Sequence, residues 1–389
     1  MQYFIMSNFQ IALIIAAVLL YFPPVFISGI NLLFWSKRRS DGVCGENLVS
    51  ILVPARDEEH NIERCVAFAL DQGSVVAEIL VYNDRSADGT QEAIDRLLLQ
   101  HGEIVKQVPT QDLMDGWVGK TNACARLAEK ANGKWLLFLD ADTILRRNAV
   151  EALVIEATNR ETTLLSAWPR IEMLSLMEKL LMPLLNFVVF SLFPAPISRF
   201  DGRSSLGLAH GACILAYRET YLANGGHRMV KDRLFEDTAL ARSWRADGQN
   251  SQVMDGSPLV SVRMYSSFSG VWNGFSKSYY PAFDSVVSFL LFQSYLALGF
   301  IVLPLIICCA VFVGSIEKIN LLLAALSLAP RAIVAIMFAH SLWSVLLHPV
   351  SVMVMLVLGS QSWWRYAYGS GVTWKGRNYS ESGIKAKDE

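Results

Sequence analysis

The 389-residue chain is 53% hydrophobic and only 18% charged, with a mean hydropathy of +0.34, where an ordinary soluble domain carries about 25% charged residues. That composition points to a membrane protein. Its 34 Lys plus Arg against 35 Asp plus Glu leave a net charge of -1, which excludes an overall cationic field for nucleic acid, and the wealth of apolar side chains excludes disorder.

No charge precedes Lys37, and Phe9 to Trp35 is long enough to cross a bilayer core, which needs roughly 20 apolar residues. The expectation is a membrane anchor within 1–40, kinked at Pro23-Pro24. A cleaved signal peptide would instead need a basic n-region, a shorter apolar stretch and a small-residue cleavage site. Lys37, Arg38 and Arg39 follow at once, and by the positive-inside rule that end faces the cytoplasm. The six cysteines, Cys44, Cys65, Cys124, Cys213, Cys308 and Cys309, show no CxxC spacing and read as free thiols in a reducing compartment.

Residues 45–280 hold nearly all the charge and alternate strand-like with helix-like patterns, which predicts an α/β domain. Leu48 to Val53 is an apolar run closed by Pro54, and Glu58 to Leu70 repeats apolar residues at helical spacing. Glu78 to Tyr82 and Lys134 to Leu139 are further short strands, with Asp84 just beyond the first and Asp140 just beyond the second. Asn148 to Ala157 and Asp237 to Ala246 suit amphipathic helices.

In open α/β sheets ligands collect beyond the carboxyl ends of the strands, and three acidic clusters fall there. Asn83-Asp84-Arg85-Ser86-Ala87-Asp88-Gly89-Thr90 suits a ligand loop or, equally, a turn in which Asp88 or Ser86 caps a helix. Asp140-Ala141-Asp142 follows a strand too apolar to be exposed; paired carboxylates there suit a hard cation, Mg2+ or Mn2+, shared with a diphosphate, while chance or capping explains many such triplets elsewhere. Glu236-Asp237 opens a helix and serves either the helix dipole or as a carboxylate base. Local sequence leaves that choice open.

Val49-Ser50-Ile51-Leu52-Val53-Pro54-Ala55-Arg56-Asp57-Glu58, the Asp84 cluster, Gly116-Trp117-Val118-Gly119-Lys120, Asp140-Ala141-Asp142 and Glu236-Asp237 stand in the order seen in family 2 glycosyltransferases. Over residues 48–280 the chain resembles that family. With its anchor, later apolar spans and Trp374-Lys375-Gly376-Arg377-Asn378-Tyr379, it resembles the membrane enzymes that glycosylate carotenoids, of the chlorobactene and diaponeurosporenoate types, or that sit in hopanoid pathways. The resemblance implies a GT-A fold that binds a nucleotide-diphosphate sugar and inverts the anomeric centre. Pro54, Ala55, Arg56 and Glu58 would line the nucleotide pocket and Asp84 would contact the base. Asp140 would reach the ribose or diphosphate, with Asp142 holding the metal and Asp140 beside it. Asp237 would be the catalytic base, next to Glu236, and Lys120 either touches the donor or marks a solvated helix start.

Two departures stand out. Asn83 occupies a position where the family often has aspartate, and the Gln-x-x-Arg-Trp signature of processive synthases is absent. Ser269-Gly270-Val271-Trp272-Asn273-Gly274-Phe275-Ser276-Lys277 stands there instead, which favours single-sugar transfer. Lys277 would offset donor phosphate charge or face lipid headgroups, and Trp272 would stack at the acceptor mouth or be buried at the membrane interface.

Interrupted apolar runs over 171–200 read as a segment lying on the bilayer to admit a lipid or as a core helix. His210 and His227 lack metal-like spacing and suit loop structuring, and His340 and His348 suit interhelical hydrogen bonds. Residues 284–364 are expected to form the second membrane region, from Ser285 to Ile316 and Ala332 to Trp364, with Ile319 to Ala329 broken off by Pro330-Arg331 at the interface. Three spans would place the basic segment 365–389, with Arg365, Lys375, Arg377, Lys385 and Lys387, outside against the charge rule; two would keep it inside, and a cytoplasmic tail is the expectation. The expected protein is a multi-pass enzyme of the cell (inner) membrane with a cytoplasmic catalytic domain. It would move one hexose, glucose from UDP-glucose, onto an isoprenoid lipid such as a carotenoid. A polyprenyl phosphate, a hopanoid or another glycolipid acceptor is the alternative, and a silent nucleotide-binding membrane scaffold the non-enzymatic one.

Overall fold

The computed structural model describes residues 8–35, 44–265, 267–283, 285–313, 318–369, 372–374 and 377–379. Lys37, Arg38, Arg39, Ile316, Lys375, Lys385 and Lys387, on which parts of the span reading rest, lie outside the described residues. By its contacts the chain forms two units, one drawn from Ser36–Glu172, Ile197–Met264 and Ser370–Glu389, the other from Met1–Trp35, Met173–Pro196 and Tyr265–Gly369.

The first unit is built on twelve described strands: β1 (Val49–Ala55), β2 (Val76–Asn83), β3 (Val105–Gln107), β4 (Trp135–Leu139), β5 (Thr143–Leu145), β6 (Leu164–Trp168), β7 (Arg170–Ile171), β8 (Cys213–Tyr217), β9 (Ser251–Asp255), β10 (Val260–Val262), β11 (Val372–Trp374) and β12 (Arg377–Tyr379). Seven form a mixed sheet ordered β3-β2-β1-β4-β8-β6-β9. β1 pairs parallel with both β2 and β4, while β8 runs antiparallel between β4 and β6. The order thus turns back at β1 and β4, the kind of switch point where a crevice opens beyond the strand ends. β5-β10-β7 form a smaller sheet and β11-β12 an antiparallel hairpin.

Near-continuous apolar runs such as Ile51-Leu52-Val53 are what a sheet covered on both faces demands. Ile51 and Val53 pack on one face with Cys65, Val66 and Ala69 of helix Ile62–Leu70 and Ala152 and Leu153 of helix Ala149–Asn159. Leu52 and Tyr82 pack on the other with Ala123 and Leu127 of helix Gly119–Lys130 and Leu240 and Trp244 of helix Glu236–Ala246. Pro54 does not close its strand as expected: β1 continues in register, Pro54 opposite Tyr82 and Ala55 opposite Asn83. The extra residues carry β1 to the rim of the crevice.

In the second unit three described helices are long and apolar enough to cross a membrane: Gln10–Phe34, Val286–Cys309 and Ile319–Met337. Helix Asn8–Phe34 runs through Pro23 and Pro24, and its Leu19 and Leu33 are exposed at 70% and 74%, the outward apolar face a bilayer would cover. The expected break at Pro330 does not occur, since helix Lys318–Met337 continues through it. Nor is Ala332 to Trp364 one span: the helix ends at Met337, and Trp343–Leu346 and His348–Tyr368 are separate. A proline removes one helical donor, a loss a membrane helix tolerates when neighbours re-satisfy the backbone.

The 171–200 region splits into helices Leu176–Leu181 and Pro183–Leu192. Residues Met173–Pro196, expected inside the catalytic domain, pack instead with the helical unit, where Phe187 meets Phe300 and His348, and Phe190 meets Trp35 and Phe338. Asn31 pins this segment, donating to Phe190 O and Phe193 O at 2.8 Å each and accepting from Ala195 N at 3.0 Å. His340 faces Asn186 and Arg331 at 3.3 Å, as an interhelical bonding role requires. His348 departs from that expectation: it is buried edge-on against Phe187 and Phe300, and neither ring nitrogen has a hydrogen-bond partner among the described residues.

Candidate active site

The strand rims bring two loops together. Asp57, at φ 52°, gives its N–H to Ser86 Oγ at 3.0 Å and accepts from Ala87 N at 2.8 Å. Glu58 N donates to Thr90 Oγ1 at 2.7 Å, and Gly89 N donates to Glu59 Oε2 at 2.8 Å. Asn83 accepts from Ser86 N at 3.0 Å and donates to Gln91 Oε1 at 2.7 Å. An aspartate could not make that second bond, which gives asparagine at 83 a local reason. Asp88 accepts from Thr90 N at 3.1 Å and so supports the start of helix Thr90–His101.

Lacing these loops sets Arg56 beside Asp84. Arg56 Nη1 donates to Asp84 O at 2.7 Å and stands 3.9 Å from Asp84 Oδ2. Asp84 itself is buried, and both its carboxylate oxygens are taken by Arg377 of β12, at 2.5 Å from Nη1 and 3.0 Å from Nη2. An open cleft of about 580 Å³ begins at the next residue, Arg85, and is walled by Thr110, Gln111, Asp112, Leu113, Met114 and Arg126.

On the β4 side, Lys120 in the first turn of helix Gly119–Lys130 bridges Asp140 Oδ1 at 2.8 Å and Glu236 Oε1 at 2.9 Å. It is no solvated helix start. Burial pulls its pKa down, but Asp140 and Glu236 outweigh burial and hold the ammonium well above its ordinary range. At Asp140 burial wins instead, raising the carboxyl despite Lys120.

Asp237 accepts from Gly211 N at 2.8 Å and from Thr238 N at 2.7 Å. Burial first, then the adjacent Glu236 charge, push its carboxyl up to about 7. A Cβ at Gly211 would come 3.0 Å from Lys120 Nζ, tight enough that the ammonium would have to give by a few tenths of an ångström, and 3.5 Å from Asp237 Oδ2, an ordinary contact. The flanking histidines are structural, as expected. His210 Nδ1 accepts from Ala212 N at 3.2 Å, and burial followed by Lys120 pushes the ring down to about 3. His227 pairs with Tyr221 OH at 2.8 Å.

Asp140 and Asp142 follow β4 directly, Glu58 lies beyond β1, and Cys65 Sγ stands 3.6 Å from Asp140 O; burial, then the charges of Asp142, Asp140 and Glu58, push that thiol upward. Among the described residues no three His, Cys, Asp or Glu side chains form a complete metal-ligand group. A hard cation taking oxygen donors from one or two carboxylates and the rest from a phosphate ligand fits this donor set; a closed Cys/His site does not.

The structure therefore brings Arg56, Glu58, Asp84, Lys120, Asp140, Asp142, Glu236 and Asp237 to one rim of one sheet, with Pro54 and Ala55 at the end of β1. Lys277 lies on helix Phe268–Ser278 of the helical unit, where Trp272 Nε1 donates to Gln361 Oε1 at 2.7 Å. Arg377 joins the rim although 293 residues separate it from Asp84. Its only trace in the sequence is the compact Trp374–Tyr379 motif, with two basic residues, Lys375 and Arg377, in six positions.

Residues 50–216 match the family described as Glycosyl transferase family 2. A 4,4'-diaponeurosporenoate glycosyltransferase of Staphylococcus aureus strain MRSA252 is 30% identical over 347 residues, covering 86% of this chain and 88% of the relative. The same enzyme of strain USA300 is 29% identical over 365 residues with the same coverage. A mannosyltransferase from Pyrobaculum calidifontis, solved in complex with GDP-Man and Mn2+, shares the fold at TM-score 0.56 and 14% identity, over 92% of this chain and 99% of that one.

Proposed function

The chain belongs to glycosyltransferase family 2, with a GT-A fold, and from that premise we propose that it transfers a single hexose, glucose from UDP-glucose, onto a hydroxyl or carboxyl of a carotenoid-like isoprenoid lipid. The named activity of relatives that match over 86% of the chain supports the acceptor class. The observation that carries the reaction type is Asp237: a carboxylate oriented by two backbone N–H groups, raised to about 7, and so poised to take a proton from a hydroxyl near neutral pH.

Arg56, Glu58, Pro54 and Ala55 line the nucleotide pocket, and Asp84 takes the base. Lys120, locked by Asp140 and Glu236, sets a fixed positive charge beside the donor diphosphate. Asp142, with Asp140, would hold Mg2+ or Mn2+, as the oxygen-only donor set and the Mn2+ of the Pyrobaculum structure suggest. Bound there, the ion would act as a Lewis acid on the leaving diphosphate. The apolar helices and the Lys37-Arg38-Arg39 run after the first of them support a multi-pass enzyme of the cell membrane whose catalytic unit faces the cytoplasm.

The test is transfer by the purified full-length chain in nanodiscs with Mn2+, offering radiolabelled UDP-glucose or GDP-mannose against a hydroxycarotenoid, a carotenoid carboxylic acid and a polyprenyl phosphate. Label moving from UDP-glucose to either carotenoid is the expected result. Transfer confined to polyprenyl phosphate would replace the acceptor, and no transfer at all would leave a nucleotide-binding scaffold.

A further inference from the structure

The Trp374–Tyr379 motif has no place in the reaction described above, yet β12 delivers Arg377 into the rim that is expected to hold the nucleotide. Its guanidinium is 2% exposed and meets Asp84 fork to fork, Nη1 to Oδ2 at 2.5 Å and Nη2 to Oδ1 at 3.0 Å. The slot it enters is kept open by Gly119, where a Cβ would stand 2.0 Å from Arg377 Nη1 and 2.5 Å from Asp84 Oδ2. Burying such a pair gives little net stability, so it makes a poor staple for closing a hairpin across 293 residues. What it does impose is geometry. A bidentate arginine fixes the plane of the carboxylate it grips.

We propose that Arg377 is a positioning residue for donor selection: it holds Asp84 as a fixed acceptor, so the pocket takes nucleobases that present a ring N–H, uracil or guanine, and rejects cytosine, whose N3 is itself an acceptor. The inference rests on the donor reading given under Proposed function. A carboxylate set in this way offers outward lone pairs to an N–H and only repulsion to a ring nitrogen lone pair, and a site built to hydrogen-bond a group discriminates strongly against its absence. Arg56, bonded to Asp84 O at 2.7 Å, supports the backbone of the same residue but leaves its carboxylate plane to Arg377.

Calorimetric binding of UDP, GDP and CDP with Mn2+ to the full-length chain in detergent, wild type against Arg377→Gln and Arg377→Lys, tests this. Wild type is expected to bind UDP or GDP at least about tenfold more tightly than CDP. In Arg377→Gln that preference should collapse towards unity, with donor KM rising more than kcat falls, and Arg377→Lys should restore only part of it. An unchanged preference in a folded Arg377→Gln overturns the inference alone, as does a wild type that prefers CDP. A wild type that binds none of the three overturns the donor reading itself. Should the variants misfold, hydrogen exchange on wild type decides: UDP should slow exchange at Arg377–Tyr379 together with residues 84–90, and no slowing at 377–379 overturns the assignment.

Discussion

Lys120 Nζ stands 2.8 Å from Asp140 Oδ1, and the same ammonium reaches Glu236 Oε1 at 2.9 Å. One cation thus ties the end of β4 to the start of the helix that carries Asp237. Replacing Lys120 with Met leaves two carboxylates facing each other in a largely buried site. Breaking a buried pair costs about 3–5 kcal/mol, less here because the side chains keep some solvent contact. Transfer should fall at least about 100-fold through loss of oriented charge. Steady-state rates at saturating donor check this, and near-normal turnover would remove Lys120 from the site.

Asp237 sets the pH profile. If it takes the proton from a hydroxyl acceptor, the rate should climb with unit slope through about pH 7 and then level off, because its carboxyl sits at about 7 rather than 3.8. A raised carboxyl makes the folded protein the tighter proton binder between those values. Its stabilising contribution is therefore complete below about pH 4 and lost as pH rises through 7. Asp237→Asn should abolish transfer to hydroxyls while its melting temperature, relative to wild type, improves steadily from pH 4 to 8. A carboxylate acceptor arrives ionised, so substantial activity of this variant on a carotenoid acid would assign the acceptor instead.

Asp142→Asn should remove the response to Mn2+. Loss of a Lewis acid worth several kcal/mol lowers the rate at least about 100-fold, and UDP binding should stop depending on Mn2+ even in the absence of turnover. Apo-protein melting should barely change. A variant that keeps a normal Mn2+ titration would move the metal elsewhere.

In the helical unit, Asn31→Leu would remove the side-chain bonds to Phe190 O, Phe193 O and Ala195 N together and leave the last two their mutual bond of 3.1 Å. Each hydrogen bond lost costs about 0.5–1.5 kcal/mol, so a lower melting temperature in detergent is expected. An unaltered melt would mean those groups find other partners.

The rim residues Asp84, Asp140 and Asp142 were readable because each follows an apolar run too short for a helix, and chain direction alone then carries it to one edge of the parallel strands β1, β2 and β4. Lys120 was ambiguous since its partners, Asp140 and Glu236, come from separate elements, and a linear string does not reveal which acids a helix start will meet. Pro54 and Pro330 misled for one reason: proline was taken to end an element, whereas each element continues through it. Arg377 was out of reach, its partner lying 293 residues away.

That same handclasp has a topological corollary. Two side chains in contact share a compartment, so the polypeptide between Asp84 and Arg377 must pierce a bilayer an even number of times. Val286–Cys309 and Ile319–Met337, the described helices of that interval long and apolar enough to cross, are an even number.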